Sequence, residues 1–275
     1  MKAMKAMNET VDMNRVVGTH DIVLITLDTL RYDVAQTAFE RGELPVLSQH
    51  LPQQGWEKRH TPGNFTYAAH HAFFAGYLPT PTKPGLHPRL FATAFRGSET
   101  TARTTFVFDE ENIPKGLSTR GYRTVCIGGV GFFNKQNALG QVFPGMFTES
   151  HWNPSLGVGH RHSTERQVDL AVQRLHADAQ RVFLFINVSS IHTPNRAYLP
   201  GHAQDSIATH AAALRYVDGA LAPLFAACAL RGPTFVIVCS DHGTAYGDDG
   251  YHGHRIGHDC VWTVPYAHFF LEKPC

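Results

Sequence analysis

Apolar and polar residues alternate along the chain in blocks that predict strands and helices in turn. Four apolar runs have the length and continuity of strands buried on both faces, at 21–28, 123–130, 182–190 and 235–241. Segments with apolar residues at helical spacing occur at 31–42, 66–79, 164–180 and 205–232. A last strand is expected at 263–271. This alternation predicts an α/β fold with a largely parallel central sheet sandwiched by helices.

Local signals refine several of these elements. The first helix is expected to stop at Gly42, and Pro223 is expected to kink the long helix at 205–232. Thr164 and Gln167 have the spacing of a capping box at the start of a helix. The stretch 77–90, rich in proline and glycine, is predicted to be a long loop.

No repeat, low-complexity tract or linker divides the sequence. Residues 1–20 are expected to be mobile, and residues 21–275 are expected to form a single catalytic domain. The N-terminus lacks the apolar core of a secretory signal, and no run of 18 apolar residues occurs. Five cysteines without a CxxC motif are typical of free thiols in a reducing compartment. We therefore expect a cytoplasmic protein.

Composition narrows the range of partners. The chain is 43% hydrophobic and 17% charged, with a formal net charge of +1. Such a balance provides no basic face for nucleic acid or for an anionic membrane. The expected partner is a small molecule, and the sequence does not indicate an oligomeric state.

Polar side chains follow several of the predicted strands at their carboxyl ends. Asp28 ends the first strand, His192 follows the third, and Asp241 and His242 follow the fourth, before a glycine-rich loop. Ligands of parallel sheets bind at this edge. Asp, Asp and His form a mixed oxygen and imidazole set that suits zinc or manganese, and magnesium or calcium are further candidates. Asp28 taken alone is better explained as a cap or turn residue, and the adjacent pair Asp241-His242 is the stronger signal.

Other polar residues near these strand ends have two interpretations each. His252 and His258 could be extra ligands, substrate contacts or solvated loop residues. Asn195 could touch a substrate or serve the turn after Pro194. Arg31 is expected to brace the segment after the first strand through an ion pair.

Four segments together resemble the ordered motifs of the alkaline phosphatase superfamily. They are "LDTLRYD" (27–33), "TYAAHHAFFAGYLP" (66–79), "SSIHTPN" (189–195) and "SDHGTAYGDDGYHGH" (240–254). Within that superfamily they are most similar to the sulfatase branch and to lipid-head-group phosphotransferases, and small bacterial sulfatase-like hydrolases are the nearest type. The resemblance spans roughly residues 21–271 and implies an alkaline phosphatase-like or sulfatase-like core.

The resemblance implies a metal site and a nucleophile. Asp28, Asp241 and His242 match the family's metal ligands. Sulfatases carry their nucleophile ten residues before a helix-ending glycine, which is Gly76 here, so Thr66 is the implied nucleophile and a fourth ligand.

The same resemblance implies roles for several histidines. His70 stands where many phosphate-active relatives have a histidine, and we predict a catalytic role for it. His192 and His254 match histidines that contact the substrate oxyanion or the leaving group, so both are predicted to be catalytic and substrate-binding. His258 and Asn195 are predicted as further substrate contacts.

The sequence departs from the family pattern at several points. Thr66 replaces the cysteine that ordinary sulfatases convert to formylglycine, and Thr29 replaces a second aspartate. The Asp-x-x-x-His supply for a second metal is not evident, and a C-terminal subdomain is expected to be minimal or absent. These departures favour a single divalent metal and phosphate rather than sulfate esters.

The sequence therefore predicts a metal-dependent hydrolase of phosphate, or related phosphonate or sulfate, esters of a small anionic substrate. The reaction is expected to pass through a covalent phosphothreonine on Thr66. A soluble phosphotransferase using the same intermediate is the first alternative, and a catalytically silent metal-binding relative is the second.

Overall fold

A computed structural model describes residues 11–96 and 101–273 of the chain. Its helices are α1 (Met13–Val16), α2 (Tyr32–Glu40), α3 (Thr66–Phe74), α4 (Ile113–Thr119), α5 (Ala138–Val142), α6 (Ser163–Leu175), α7 (Ile207–Arg231) and α8 (Asp259–Trp262). Its strands are β1 (Asp21–Leu27), β2 (Glu57–His60), β3 (Thr80–Pro81), β4 (Phe91–Thr93), β5 (Phe106–Phe108), β6 (Arg123–Ile127), β7 (Glu149–His151), β8 (Val182–Val188), β9 (Thr234–Cys239), β10 (Ala245–Tyr246), β11 (His252–Gly253) and β12 (Thr263–Leu271).

Eight strands form the central sheet, in the order β3-β2-β12-β9-β1-β8-β6-β7. The five strands from β9 to β7 are parallel, with Leu24 of β1 opposite Ile237 of β9 and Phe185 of β8. On the other side of β9, the strands pair antiparallel: β12 with β9, β2 with β12, and β3 with β2. The predicted α/β fold with a largely parallel sheet is confirmed.

The central strands are buried on both faces, as their continuous apolar runs predict. Every residue of β1 and of β8 is buried. Successive side chains of β1 enter opposite layers: Val23 and Ile25 pack with the apolar residues of α2, α6 and α7, whereas Ile22 and Leu24 pack with the phenylalanines of α3. Helices therefore pack on both faces of the sheet, and they leave the carboxyl ends of its parallel strands to form the site.

The predicted capping box of the helix at 164–180 is wrong. The helix begins at Ser163, and its N-cap residue His162 makes no side-chain cap bond. Thr164 instead pairs its hydroxyl with that of Ser190 at 2.7 Å, and the Gln167 amide donates to the Asn187 carbonyl at 2.7 Å. Both side chains are buried against the sheet, so the Thr164 hydroxyl and the Gln167 amide nitrogen form tertiary hydrogen bonds in place of the cap.

Part of the segment that we expected to be mobile is folded onto the core. Asp12 caps α1 by accepting from the Asn14 backbone N–H, and Met13 and Val16 are buried. The expectation is therefore wrong for residues 11–20, because these apolar side chains gain burial against the layer that holds α3. Residues 1–10 lie outside the described residues, and the domain boundary at residue 21 stays a prediction.

Helix α7 is long and apolar enough, by length and composition alone, to cross a membrane. Half of its most apolar window is buried inside the protein. Leu214, Val217 and Leu221 on this helix belong to the core beneath the sheet. Core helices often have this composition, so the helix is explained by its packing.

Candidate active site

The carboxyl ends of β1 and β9 bring three predicted metal ligands together. Asp28 directly follows β1, and Asp241 and His242 follow β9, its parallel neighbour in the sheet. One side-chain donor atom from each lies within 4.8 Å of the others. All three residues are 0% exposed. Adjacent strands thus deliver two carboxylates and one imidazole to a single buried point.

Thr66, on a helix rather than on a strand end, also contacts this cluster. It is the first residue of α3 and is 3% exposed. Its hydroxyl oxygen is 3.5 Å from Asp28 Oδ2 and 3.3 Å from His242 Nε2. The first turn of a helix has backbone N–H groups without intrahelical partners, and these favour an anion. The four residues predicted to form the metal and nucleophile site therefore meet, and their chemical roles stay predictions.

Two carboxylate oxygens in the cluster have no hydrogen-bond partner. They are Asp28 Oδ1 and Asp241 Oδ2, and both are buried. The other oxygen of each carboxylate is satisfied: Asp28 Oδ2 accepts from the Asn187 amide at 3.0 Å, and Asp241 Oδ1 accepts from the Thr29 backbone N–H at 3.2 Å. Buried charged oxygens without partners are costly and rare. The chain's own residues thus fit a divalent cation at this point.

The imidazole of His242 is oriented by the backbone. Its Nδ1–H donates to the carbonyl oxygen of Gly243 at 2.9 Å, which leaves the Nε2 lone pair directed at the cluster. Gly243 itself packs so closely that a Cβ there would lie 1.8 Å from the Cys260 carbonyl oxygen. A glycine is therefore required after His242. The hydrogen bond to its carbonyl oxygen fixes the tautomer of His242 that suits a metal ligand.

Burial disfavours charge on all three predicted ligands. It raises the pKa of Asp28 to about 6, with the nearby Asp241 carboxylate adding to the effect. Burial likewise raises the pKa of Asp241 to about 7 and lowers the pKa of His242. A bound divalent ion would offset the penalty on the two carboxylates, because it favours their ionised forms, and the neutral imidazole that burial favours is already the form that binds a metal.

We expect the stabilisation that zinc gives to the folded protein to grow between about pH 5 and pH 8. The raised carboxylate pKa values mean that, without metal, ionisation of Asp28 and Asp241 destabilises the fold as pH rises, whereas zinc binds the ionised pair. At a hundredfold excess of zinc over its dissociation constant, the gain at pH 8 is about 2.7 kcal/mol. Melting temperatures of chelated and zinc-loaded protein measure the gain at each pH.

The matched control is Asp241→Asn, which keeps the shape of the side chain and removes one titrating ligand. Its zinc-dependent rise in melting temperature is expected to be small at every pH. An equal rise at pH 5 and pH 8 in the unsubstituted protein would contradict a zinc site built on these carboxylates.

Two further predicted histidines stand next to the cluster. The His254 ring lies 4.6 Å from that of His242 and 5.7 Å from that of His192, centre to centre. His192 donates its Nδ1–H to the Thr193 carbonyl oxygen at 2.5 Å. Burial and the two neighbouring histidines lower the pKa of His254 to about 3, so this ring is neutral near pH 7 and can donate one N–H.

His70 occupies a different environment from the one a catalytic group needs. It is 0% exposed and lies among phenylalanine rings, with Phe133 at 5.2 Å and Phe185 at 5.5 Å. Its Nδ1–H donates to the Thr66 carbonyl oxygen at 2.8 Å, and its Nε2 accepts from the Thr26 hydroxyl at 3.1 Å. Both ring nitrogens are occupied, and burial lowers its pKa to about 3. These contacts fit a residue that positions Thr66, and they do not support the predicted catalytic role.

The predicted substrate contact at Asn195 does not fit the structure. The side chain is 0% exposed. Its amide donates to the Ile191 carbonyl at 2.9 Å and to the Tyr246 hydroxyl at 2.8 Å, while its oxygen accepts from Thr209 at 2.6 Å. A buried amide with these partners holds the turn after β8 against α7, which is the structural role left open for it.

His258 also departs from its predicted role as a substrate contact. It is the N-cap of α8 and accepts from the Cys260 backbone N–H at 3.2 Å. Its other ring nitrogen donates to Asp249 at 3.1 Å. The ring is thus engaged within its own loop.

The predicted brace at Arg31 is confirmed, since its guanidinium pairs with Asp33 at 2.6 Å and with Asp248 at 2.8 Å.

Sequence reasoning missed two residues that shape the cluster. Asn187 lies inside β8 opposite Thr26 of β1, and its amide donates to both the Thr26 hydroxyl and Asp28 Oδ2. A polar residue within a continuous apolar strand was the available signal. Thr29 adopts φ 65, a left-handed conformation that a β-branched residue rarely takes, and this aims its N–H at Asp241. No sequence signal indicated that conformation.

A family model for sulfatases matches residues 20–266 of the chain. No curated protein matches the sequence at a significant level. The matched range contains Asp28, Thr66, Asp241 and His242.

Several solved structures share this fold. The C-terminal periplasmic domain of phosphoethanolamine transferase EptC from Campylobacter jejuni is 12% identical, with a TM-score of 0.61 over 95% of this chain and 82% of that one. The corresponding EptC domain from Escherichia coli, in complex with zinc, is 12% identical, with a TM-score of 0.62 over 94% and 75%. An alkaline phosphatase superfamily protein from Vibrio parahaemolyticus is 20% identical, with a TM-score of 0.58 over 94% and 61%.

Proposed function

The chain belongs to the sulfatase family, within the alkaline phosphatase superfamily, and we propose that it hydrolyses phosphoric esters through a covalent intermediate on Thr66. The family match supports an enzyme that acts on phosphate or sulfate esters. The proposed substrate is a small anionic molecule, and the proposed cofactor is one divalent metal ion held by Asp28, Thr66, Asp241 and His242.

One observation carries the proposal. The Thr66 hydroxyl stands at the start of α3, in contact with Asp28 and His242, two residues of a buried cluster that has unpartnered carboxylate oxygens. An ordinary N-cap threonine would accept from its own helix, but Thr66 is the first helical residue and Phe65 is the N-cap. The hydroxyl is thus free to face a substrate and to act as a nucleophile.

A metal ion held by Asp28, Asp241 and His242 would supply positive charge to neutralise the phosphoryl oxygens and would lower the pKa of the Thr66 hydroxyl. The chain contributes alignment. The first turn of α3 offers N–H groups to the phosphoryl oxygens, and the hydrogen bond from His70 to the Thr66 carbonyl fixes that turn.

The proposed reaction proceeds in two displacements. The Thr66 hydroxyl gives up its proton, and its oxygen forms a bond to phosphorus as the bond from phosphorus to the leaving oxygen breaks. The leaving oxygen takes up a proton, so the net transfer is of the Thr66 hydroxyl proton to the leaving alcohol. The ring of His254 packs against those of His242 and His192, and its N–H can contact the oxyanion or the leaving group. His192, whose Nδ1–H is donated to the Thr193 carbonyl oxygen, lies beside His254. Water then attacks phosphorus, the bond to Thr66 breaks, and phosphate leaves.

Zinc or manganese is the proposed ion. Two carboxylates, a hydroxyl and an imidazole form a mixed oxygen and nitrogen set that suits these metals better than the oxygen-only sets of calcium. The Escherichia coli domain of the same fold has been solved with zinc, which supports this choice.

We expect phosphate mono- or diesters to be hydrolysed faster than matched sulfate esters. A sulfothreonine would be hard to release by water attack, whereas a phosphothreonine can be cleared by attack at phosphorus. The assay compares p-nitrophenyl phosphate, bis-p-nitrophenyl phosphate, a phenylphosphonate monoester and p-nitrophenyl sulfate, each with zinc, manganese and magnesium. The sulfate ester as best substrate would contradict the proposal.

A phosphotransferase with the same intermediate is the second candidate. It is favoured by the EptC domains of the same fold, which are named phosphoethanolamine transferases. The two candidates differ in what releases Thr66. For a hydrolase the rate of phosphate release is independent of added alcohols, whereas for a transferase an acceptor raises turnover and appears in the product.

A further inference from the structure

An arginine lies on the rim of the site beside Thr66. Arg255 directly follows His254, and its guanidinium carbon lies 5.1 Å from the centre of the Phe65 ring. Phe65 directly precedes Thr66. Arg255 thus packs its guanidinium on the residue before the proposed nucleophile. It belongs to the same loop as His254, whose ring packs against His242.

The backbone of Arg255 is held in place by the segment leading into α3. Its N–H donates to the Asn64 carbonyl oxygen at 2.9 Å. Its φ of 69 lies in the left-handed region, which residues other than glycine occupy rarely and often at functional sites. The position is therefore defined by the fold, and the arginine does not hang from an unconstrained loop.

The charge of Arg255 has no acidic partner among the residues that the structure describes. This residue is exposed, unlike Arg31, whose buried guanidinium is paired with two aspartates. An unpaired cation here favours an anion that comes from outside the chain.

Resting on the proposed function, we infer that Arg255 binds a negatively charged group of the substrate outside the ester that is cleaved. The substrate class is a phosphoric ester whose leaving group or acceptor carries a second anion, such as a carboxylate. In the proposed reaction the phosphoryl group is already contacted by the first turn of α3 and by His254. A guanidinium packed on an aromatic ring keeps its N–H edges available for a carboxylate.

The test measures binding of two stable analogues by calorimetry on the zinc-loaded full chain: phenylphosphonate and para-carboxyphenylphosphonate. The wild type is expected to bind the carboxylated analogue roughly tenfold more tightly, as one charge-assisted contact provides. Arg255→Gln is expected to reduce this ratio to about one, and Arg255→Lys to an intermediate value, since lysine keeps the charge without the planar fork. The wild-type ratio is expected to shrink as salt is raised.

Arg120→Gln is the matched control. Arg120 is also exposed and also lies over a phenylalanine ring, 5.3 Å from the centre of Phe106. It precedes β6, however, and so lies at the amino ends of the parallel strands, away from the site. This variant is expected to keep the wild-type ratio. A wild-type ratio near one, or a tenfold ratio that survives in Arg255→Gln, would overturn the inference and leave the proposed function intact. Failure of the wild type to bind either analogue would overturn both.

Discussion

Thr66→Ala is expected to lower kcat for phosphoric esters by roughly 10⁴-fold or more, while the protein stays folded. The alanine cannot form the bond to phosphorus, so the covalent route is lost. The change removes one hydroxyl from a residue that is 3% exposed, and its two contacts at 3.3 and 3.5 Å are long. The free energy of unfolding should therefore change by only about 1 kcal/mol.

Three measurements on the purified variant check this expectation: turnover with the best substrate of the panel, the melting temperature, and bound metal by elemental analysis. Most of the metal should remain, because Asp28, Asp241 and His242 are unchanged. Thr66→Ser, which retains a hydroxyl, should recover a substantial part of the lost rate. Activity like that of the wild type in Thr66→Ala would refute the nucleophile and point to direct attack by water.

Asp241→Ala and His242→Ala are each expected to weaken metal binding by about 100-fold or more, because each removes a direct ligand. Wild-type protein prepared without chelators should hold close to one divalent ion per chain, and each variant should hold a small fraction of that. Turnover should fall in parallel and return partly with excess zinc. Elemental analysis after extensive dialysis gives the stoichiometry.

His71→Ala is the matched control for these ligand variants. His71 is on the same helix as Thr66, is exposed, and packs its ring against Tyr67 at 4.5 Å. Removing it should leave the metal content at the wild-type value. Close to two ions per chain in the wild type would contradict the single-metal site and implicate His192 and His254 as additional ligands.

The sheet and the centre of the site could be predicted from the sequence for one physical reason. Buried parallel strands are continuous apolar runs, and whatever polar residue follows such a run must emerge at the carboxyl edge. Asp28 and Asp241 follow two runs that turn out to be neighbours in the sheet. The adjacency of β1 and β9 could not be derived from periodicity, and the family resemblance supplied only the grouping of Asp28, Asp241 and His242 in one metal site.

The residues around the centre were harder to predict, because their roles depend on where each side chain points. Asn195 and His258 are close in sequence to His192 and His254, yet Asn195 is buried in a turn and His258 caps α8. His70 lies one helical turn after Thr66 on α3, and this spacing lets its ring reach the Thr66 carbonyl oxygen. Asn187 was hidden in an apolar run, where a single amide gives little periodic signal.

The most direct test of the central claim is mass spectrometry of the wild-type protein quenched during turnover of a phosphoric ester. The account predicts a phosphoryl group on the peptide that contains Thr66, assigned by fragmentation to the Thr66 oxygen. The same label should be absent from Thr66→Ala and from metal-stripped protein. Rapid turnover together with an unmodified Thr66 peptide, and equal turnover by Thr66→Ala, would contradict the claim.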